Sequence, residues 1–275
     1  MVPQDEIFCC PKCGGALFSV GGALKCFAGH SYDRAKQGYV NLRLSQQSSK
    51  KRHGDDRLMV LARERFLNAG YYAPLRQKIY ETVAACRPET LADAGCGEGY
   101  YTAYLEARLP KTKIAGMDIS KDALKAFGRR NTAVKLALAS VFDMPLRSAS
   151  CDMILCVFAP DSAEEFQRVL KPQGKLLRVL PGEDHLFELK SAIYERPYKN
   201  PAPSKLLKLR LLKEETLRFQ FTLKNTKEIA DLFCMTPYFY KTGKADQEKT
   251  NKLSTLTVTA DFCLQLYEKE EAPTL

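Results

Sequence analysis

From Thr90 onward the chain runs through short apolar stretches alternating with amphipathic ones: TLADAG, YTAYLEARL, KIAGMD, ALKAFGRR, VKLALA, CDMILCVF, AEEFQRVL and GKLLRVL. A strand that is followed by a helix and then by another strand rejoins the same sheet through a crossover. Neighbouring strands are then parallel, with helices over both faces. The order predicts an α/β fold with a Rossmann-like, doubly wound sheet. Further on, TLRFQFTL (216–223) and STLTVTADFCLQLY (254–267) alternate with period two, around a helix-like KEIADLF and a break at Met235-Thr236-Pro237. They predict an antiparallel C-terminal pair on the edge of that sheet. Ahead of the sheet, 58–67 and 75–83 have helical apolar spacing, split by AGYYAP, and SQQSSKKRHGDDR (45–57) reads as a linker.

The composition, 45% apolar and 27% charged in 275 residues, is that of a soluble globular chain. No apolar run approaches the roughly 20 residues of a membrane span, and MVPQDEIFCC has neither the basic start nor the apolar stretch of a secretory signal. The expected compartment is the cytoplasm, where thiols stay reduced. A formal charge of +10 and a pI near 9.0 favour a polyanionic partner over a merely solvated basic surface.

Ten cysteines make CCPKCGG (9–15) the next constraint. Cys10 and Cys13 are followed by Cys26 and His30, a Cys-x2-Cys-x12-Cys-x3-His spacing. Two thiolates two residues apart fold around one ion, and a hairpin turning at Gly21-Gly22 returns the second pair, closing a tetrahedral zinc site of structural type. Ordinary buried cysteines would not need this spacing, and a redox Cys-x-x-Cys would expect a strand and helix around it that the sequence lacks. Cys9 could replace Cys10, although Cys10 gives the standard two-residue gap, and otherwise Cys9 has no role in this scheme.

At the end of the first predicted strand lies Asp93-Ala94-Gly95-Cys96-Gly97-Glu98-Gly99, directly before a helix. Glycines let such a turn approach a ligand closely. Gly-x-Gly-x-Gly is one residue short of the dinucleotide fingerprint and lacks the P-loop Lys and Ser/Thr, which suits a nucleoside without a pyrophosphate. The next strand ends in Asp118, placed to accept from both ribose hydroxyls, and the one after it ends near Ser140 and Val141. If Asp118 merely capped the following helix, the agreement of three consecutive strand ends would go unexplained.

This ordered set, DAGCGEG, GMDIS, ASVFDMPL and RVLKPQGKLL, resembles the class I S-adenosylmethionine-dependent methyltransferases over about 91–180. The resemblance implies that Asp93, Gly95, Gly97, Glu98 and Gly99 shape the methionine and ribose part of the site, that Asp118 holds the ribose, and that Ser140 and Val141 contact adenine. Gln173 departs from it, standing where a second glycine is usual. With the zinc segment in front, the chain looks like the 23S ribosomal RNA (guanine-N1)-methyltransferases nearly end to end: CPKC with CFAGH, YDRAKQGYVNL, FLNAGYYAPLR, DAGCGEGYYT, FAPDSAEEFQRVLKP, PGEDHLFELKSAIY and CMTPYFY. That family implies structural zinc, S-adenosylmethionine as methyl donor, a hairpin loop of 23S ribosomal RNA as substrate and a homodimer. It also puts Tyr72, Tyr101, Thr102 and His185 near the donor. The expected division is a zinc-binding RNA-recognition module over 1–44, a linker and helices over 45–85, and the methyltransferase domain over 86–275.

Guanine N1 carries a proton that must leave as the methyl arrives, so a carboxylate nearby is of interest. Asp161 is one candidate, although a cap for the helix at 162–170 would explain it as well. The cations expected to hold RNA are Lys50, Lys51 and Arg52, the zinc segment's Lys12, Lys25, Arg34 and Lys36, and Lys199, Lys205, Lys208, Arg210 and Lys213, with Tyr194 and Tyr198 for base stacking. A small-molecule methyltransferase would leave both the zinc segment and the charge unexplained. A non-catalytic RNA-binding relic would not need the glycine turn or Asp118.

Overall fold

A computed structural model describes residues 7–44 and 54–270; Lys50, Lys51 and Arg52 lie outside the described residues. The chain forms two sheets. The smaller is antiparallel and holds β1 (Phe18–Val20), β2 (Ala23–Lys25) and β3 (Ser31–Asp33). Gly21 and Gly22, at φ of 55° and 83°, make the two-residue turn whose twist suits paired strands.

The larger sheet holds β4 (Val40–Asn41), β5 (Thr90–Ala94), β6 (Lys113–Asp118), β7 (Lys135–Leu138), β8 (Cys151–Val157), β9 (Leu170–Pro181), β10 (Arg210–Leu223) and β11 (Leu256–Glu268). Its spatial order is β10-β11-β9-β8-β5-β6-β7-β4. Pairings from β4 through β9 are parallel, and β11 pairs antiparallel with both β9 and β10. The helices are α1 (Arg57–Asn68), α2 (Ala73–Cys86), α3 (Tyr100–Glu106), α4 (Lys121–Gly128), α5 (Ala163–Val169), α6 (Phe187–Ile193), α7 (Thr226–Cys234) and α8 (Lys244–Lys249). This is the mainly parallel doubly wound sheet with an antiparallel C-terminal pair that the alternation predicts.

Alternate residues of each central strand serve opposite faces. Leu91, Leu155 and Leu177 join Phe66, Leu75 and Ile79 in one core, while Ala92, Ala94, Ile154 and Leu176 join Phe166 in another. The second core also takes in Phe8, Leu17, Leu24 and Val40, so the N-terminal hairpins share their interior with the sheet. Burying each of those large side chains is worth about 1.5–3 kcal/mol, which ties the two units firmly together.

The structure departs from the sequence expectation in three places. Val40 and Asn41 add a parallel strand to the edge formed by β7, with Val40 opposite Ala137; two residues are too few to carry a strand period. β10 begins at Arg210 rather than 216, so Arg210 and Lys213 stand on an edge strand and not in a basic loop. Ser162 caps α5 by accepting from the Glu165 amide, a role the sequence allowed for Asp161. Gln173, with φ of 61°, takes the left-handed turn where a glycine is usual.

Candidate active site and metal centre

The metal centre is assembled by local geometry. The ligand atoms of Cys10, Cys13, Cys26 and His30 all lie within 4.8 Å of one another. Cys10 Sγ and Cys26 Sγ each lie 3.4 Å from His30 Nδ1, and Cys13 Sγ lies 3.8 Å from Cys26 Sγ. Tetrahedral zinc with Zn–S near 2.3 Å and Zn–N near 2.0–2.1 Å requires S···S edges of about 3.8 Å and S···N edges of about 3.5 Å, so the four groups fit the ion with no position left open. Tyr32 donates its hydroxyl to Cys10 Sγ at 3.0 Å, an outer-shell bond the spacing could not announce. Burial pushes the Cys10 thiol up, but Tyr32 and the amides of Lys12 and Cys13 outweigh it and hold the group at about 6. Cys9 stands apart: it is buried, its amide donates to Pro145 O at 2.8 Å, and it bridges to Ala16. It is a seam residue between the hairpin and the loop after β7.

The second site lies at the carboxyl ends of β5, β6 and β7, with the end of β8 beside it. The amides of Gly95 and Cys96 both donate to Met117 O, which folds the glycine turn over the end of β6. A Cβ on Gly95 would meet Ala159 Cβ at 2.4 Å, and one on Gly99 would meet the Phe127 ring at 2.4 Å. Packing alone therefore demands these two glycines. At Gly97 a Cβ would meet nothing within 4 Å, which leaves that side of the turn open.

Asp118 accepts from the Gly97 amide at 2.9 Å and the Ser120 amide at 2.7 Å. Ser120, not Asp118, caps α4, so Asp118 is left to the turn and the crevice. Thr102 donates to Asp93 Oδ2 at 2.5 Å, while Asp93 Oδ1 and the Tyr101 hydroxyl are buried with no partner. Burial raises the Asp93 carboxyl to about 7 in spite of the Thr102 bond, and it also raises those of Asp118 and Glu98. Glu98 is turned toward Arg130, at 3.4 Å. Ser140 sits just past β7 and accepts from the Phe142 amide at 3.2 Å. Val141 buries its side chain in the core shared with the hairpins, which leaves its backbone as the part available to a ligand.

The wall of the crevice continues through Ala159, which packs on Gly95, to Phe158 and His185. Phe158 is a bulky residue at φ of 54° and is 41% exposed. Its ring lies nearly parallel to that of His185, with centroids 6.4 Å apart. His185 is buried and accepts the Asp261 amide at Nδ1, 3.3 Å away. The proton of the neutral ring therefore sits on Nε2, 3.2 Å from the Tyr72 hydroxyl oxygen. Burial, then Lys190, push the imidazole down to about 3, and burial pushes the Tyr72 phenol up, so the pair is neutral across the physiological range. Sequence reasoning named Tyr72 and His185 but missed Phe158, whose only signal was its place in FAPD.

Asp161 lies past this wall and is paired with the buried Arg178 guanidinium, which also donates to Ser204 O and Gln265. Two surface hollows, of about 460 and 510 Å³, are lined by Gln173, Arg210 and Glu268 and by Thr90, Lys113 and Lys135. Neither takes in the glycine turn; the second lies at the amino ends of the strands.

A mainly parallel sheet that offers a glycine turn flanked by orphaned polar atoms and an acid at the next strand end, together with a closed thiolate and imidazole tetrahedron, defines an S-adenosylmethionine-dependent methyltransferase with a structural zinc ribbon. Residues 92–178 match the family described as methyltransferase domain, and residues 8–51 match the one described as RlmA, N-terminal, a zinc ribbon. The 23S rRNA (guanine(748)-N(1))-methyltransferase of Streptomyces fradiae is 37% identical over 189 residues, which cover 67% of this chain and 66% of that protein. A Micromonospora griseorubida protein with a provisional 23S rRNA (guanine-N(1)-)-methyltransferase name is 35% identical over 66% of this chain and 67% of its own. YxjB of Bacillus subtilis, provisionally named the same way, is 28% identical over 93% of this chain and 95% of its own. The chain belongs to the 23S rRNA (guanine-N1)-methyltransferase family.

Proposed function

We propose that this protein transfers the methyl group of S-adenosylmethionine to N1 of a guanine in a hairpin loop of 23S ribosomal RNA. The observation that carries the reading is the joining of the two sites: one hydrophobic core supports both the zinc ribbon and the crevice at the ends of β5 to β7. A methyltransferase for a small molecule has no use for that partnership.

When bound, the donor supplies an electrophilic methyl group on a sulfonium. The chain positions it and keeps water away. Gly95 and Gly99 seat the turn against Ala159 and Phe127, the open side at Gly97 receives the donor, Asp118 takes the ribose hydroxyls, and Ser140 with the Val141 backbone borders the adenine. The unpaired Asp93 Oδ1 and the Tyr101 hydroxyl are matched to polar groups of the donor's amino-acid end, with Thr102 holding Asp93 in place. Tyr72 and His185 close the wall as a neutral pair, and the half-exposed ring of Phe158 offers a face on which the guanine stacks. As the N1–C bond forms and the S–C bond breaks, the N1 proton leaves to solvent and S-adenosylhomocysteine remains. Asp161 is tied to Arg178 and is not favoured as the proton acceptor.

RNA recognition falls to the ribbon. Lys12, Lys25 and Lys36 are exposed there and take part in no ion pair among the described residues, and Phe27 is 79% exposed beside Phe18. By contrast Lys199, Lys208, Arg210 and Lys213 are paired with Asp184, Glu164, Glu268 and Glu215. Among the described residues no helix is long and apolar enough to cross a membrane. A cytoplasmic homodimer with its ribbon over 1–44 and its methyltransferase domain over 86–275 completes the proposal, and light scattering checks the dimer.

The direct test incubates the protein with labelled donor and large-subunit RNA and maps the product by primer extension. N1 methylation blocks base pairing, so reverse transcription should stop beside one guanine of a hairpin loop. Label confined to small molecules would overturn the reading.

A further inference from the structure

Beside the glycine turn stands one ion pair that neither zinc nor the residues above account for. Arg63, on α1, pairs with Asp55 and donates through Nη2 to Met235 O at 3.1 Å. Asp55 is itself docked on the end of β6, where Ser120 donates its hydroxyl to Asp55 O at 2.5 Å. Ser120 is two residues from Asp118. The guanidinium is thus held near the end of β6, close enough to Glu98 and Asp118 to act on both carboxyls, with 26% of its side chain exposed.

The charges around it are one-sided. Asp93, Glu98 and Asp118 are all buried or nearly so, and burial lifts each carboxyl, opposed at Glu98 and Asp118 by Arg63. Acids suit most of the methyl donor, which presents a sulfonium, an ammonium and two ribose hydroxyls. They do not suit its α-carboxylate, its one anionic group, which requires a cation or backbone donors. Arg130 is spent on the carboxylate and carbonyl of Glu98, and Arg76 lies over the rings of Tyr100 and Tyr104. Arg63 is the guanidinium whose partner can be exchanged without leaving a buried acid alone, because Asp55 lies near the surface, its side chain 28% exposed.

We propose that Arg63 anchors the α-carboxylate of the methyl donor and that Asp55 holds its place in the free protein. Exchange of one carboxylate for another keeps the guanidinium paired throughout, so donor binding never exposes a lone charge to a low-dielectric site. It also couples donor binding to the Gly54–Asp56 strap and, through Met235 O, to the end of α7.

This inference rests on the donor lying in the glycine-turn crevice, and the test separates the two claims. Calorimetry is run with S-adenosylhomocysteine, which has the amino-acid end, and with 5′-methylthioadenosine, which lacks it. Wild-type protein should bind both; if it binds neither, the crevice reading itself fails. In Arg63→Gln, S-adenosylhomocysteine should weaken by more than about 30-fold, the cost of truncating one partner of a buried charge pair, while 5′-methylthioadenosine stays within about threefold. Asp55→Asn, which keeps Arg63 and frees it, should bind S-adenosylhomocysteine at least as tightly as wild type. Equal weakening of both ligands by Arg63→Gln in protein with an unchanged melting temperature, or no weakening of either, overturns the anchor. Weakening of S-adenosylhomocysteine by Asp55→Asn overturns the placeholder.

Discussion

The zinc ribbon and the donor crevice are opposite solutions to holding a ligand. All four ribbon ligands fall between Cys10 and His30, on two knuckles brought together by one hairpin. The crevice draws on the ends of four strands, and its wall runs from Tyr72 to His185. A site of the first kind depends on the ion, since its three thiolate ligands repel one another without it. The second kind depends on the sheet, and its groups stand in place before any ligand arrives, as the unpaired Asp93 Oδ1 and Tyr101 hydroxyl attest.

That contrast predicts unequal responses to damage. The largest is expected for Cys26→Ser, which removes a ligand and should release one equivalent of metal; outer-shell changes alone cost 10- to 100-fold in metal affinity by the usual scale. Metal analysis and RNA methylation should both collapse, by roughly 100-fold or more, while donor binding measured by calorimetry stays within about threefold. Because Leu24 and Phe8 lie in the core shared with Ala92 and Ile154, the melting temperature should fall as well, and an unchanged one would mean that the shared core contributes little.

Next in size is damage to the sheet site. Gly95→Val places a branched side chain where even a Cβ would lie 2.4 Å from Ala159. Donor binding should drop below detection with the zinc content unchanged. Phe158→Ala should leave donor affinity alone and weaken RNA engagement by about 5- to 150-fold, the range for losing one stacked base. The KM for an RNA hairpin reads that effect, and an effect on donor affinity instead would move Phe158 out of the substrate's path.

The smallest effect is a pH dependence. The Asp93 carboxyl is raised to about 7 by burial, and a cationic donor favours its ionised form. Binding must therefore expel a proton below that pH, and donor affinity should rise by up to about tenfold per unit toward pH 7 and level off above it. The same raised value works against the fold: Asp93 costs stability as pH climbs from the ordinary carboxylate range toward 7. In Asp93→Asn the slope of donor affinity with pH should vanish.

How much of this was legible in the sequence follows the same division. The ribbon could be read because Cys10, Cys13, Cys26 and His30 are close in the chain, and the sheet because strand and helix periods alternate over 90–180. The order of the strand ends also carried Asp93, Asp118 and Ser140 to one edge. Whatever depends on distant residues meeting was not legible. Val40 and Asn41 find β7 nearly 100 residues away, Tyr32 reaches Cys10 across the hairpin, and Arg63 on α1 meets Met235 O at the end of α7. Asp161 looked available because its partner Arg178 comes from another strand. Lys199, Lys208 and Arg210 looked free for the same reason, since their acidic partners lie at Asp184, Glu164 and Glu268.

The central claim is that the ribbon reads RNA and the sheet holds the donor. A surface variant tests it without touching either fold: Lys12→Glu, Lys25→Glu and Phe27→Ala together change exposed side chains and no zinc ligand. Methylation of a 23S RNA hairpin should fall by roughly 100-fold, and the salt dependence of RNA binding should flatten by about two charges, while S-adenosylhomocysteine binds as before. Full RNA methylation by this variant, or loss of donor binding with RNA affinity intact, would contradict the account.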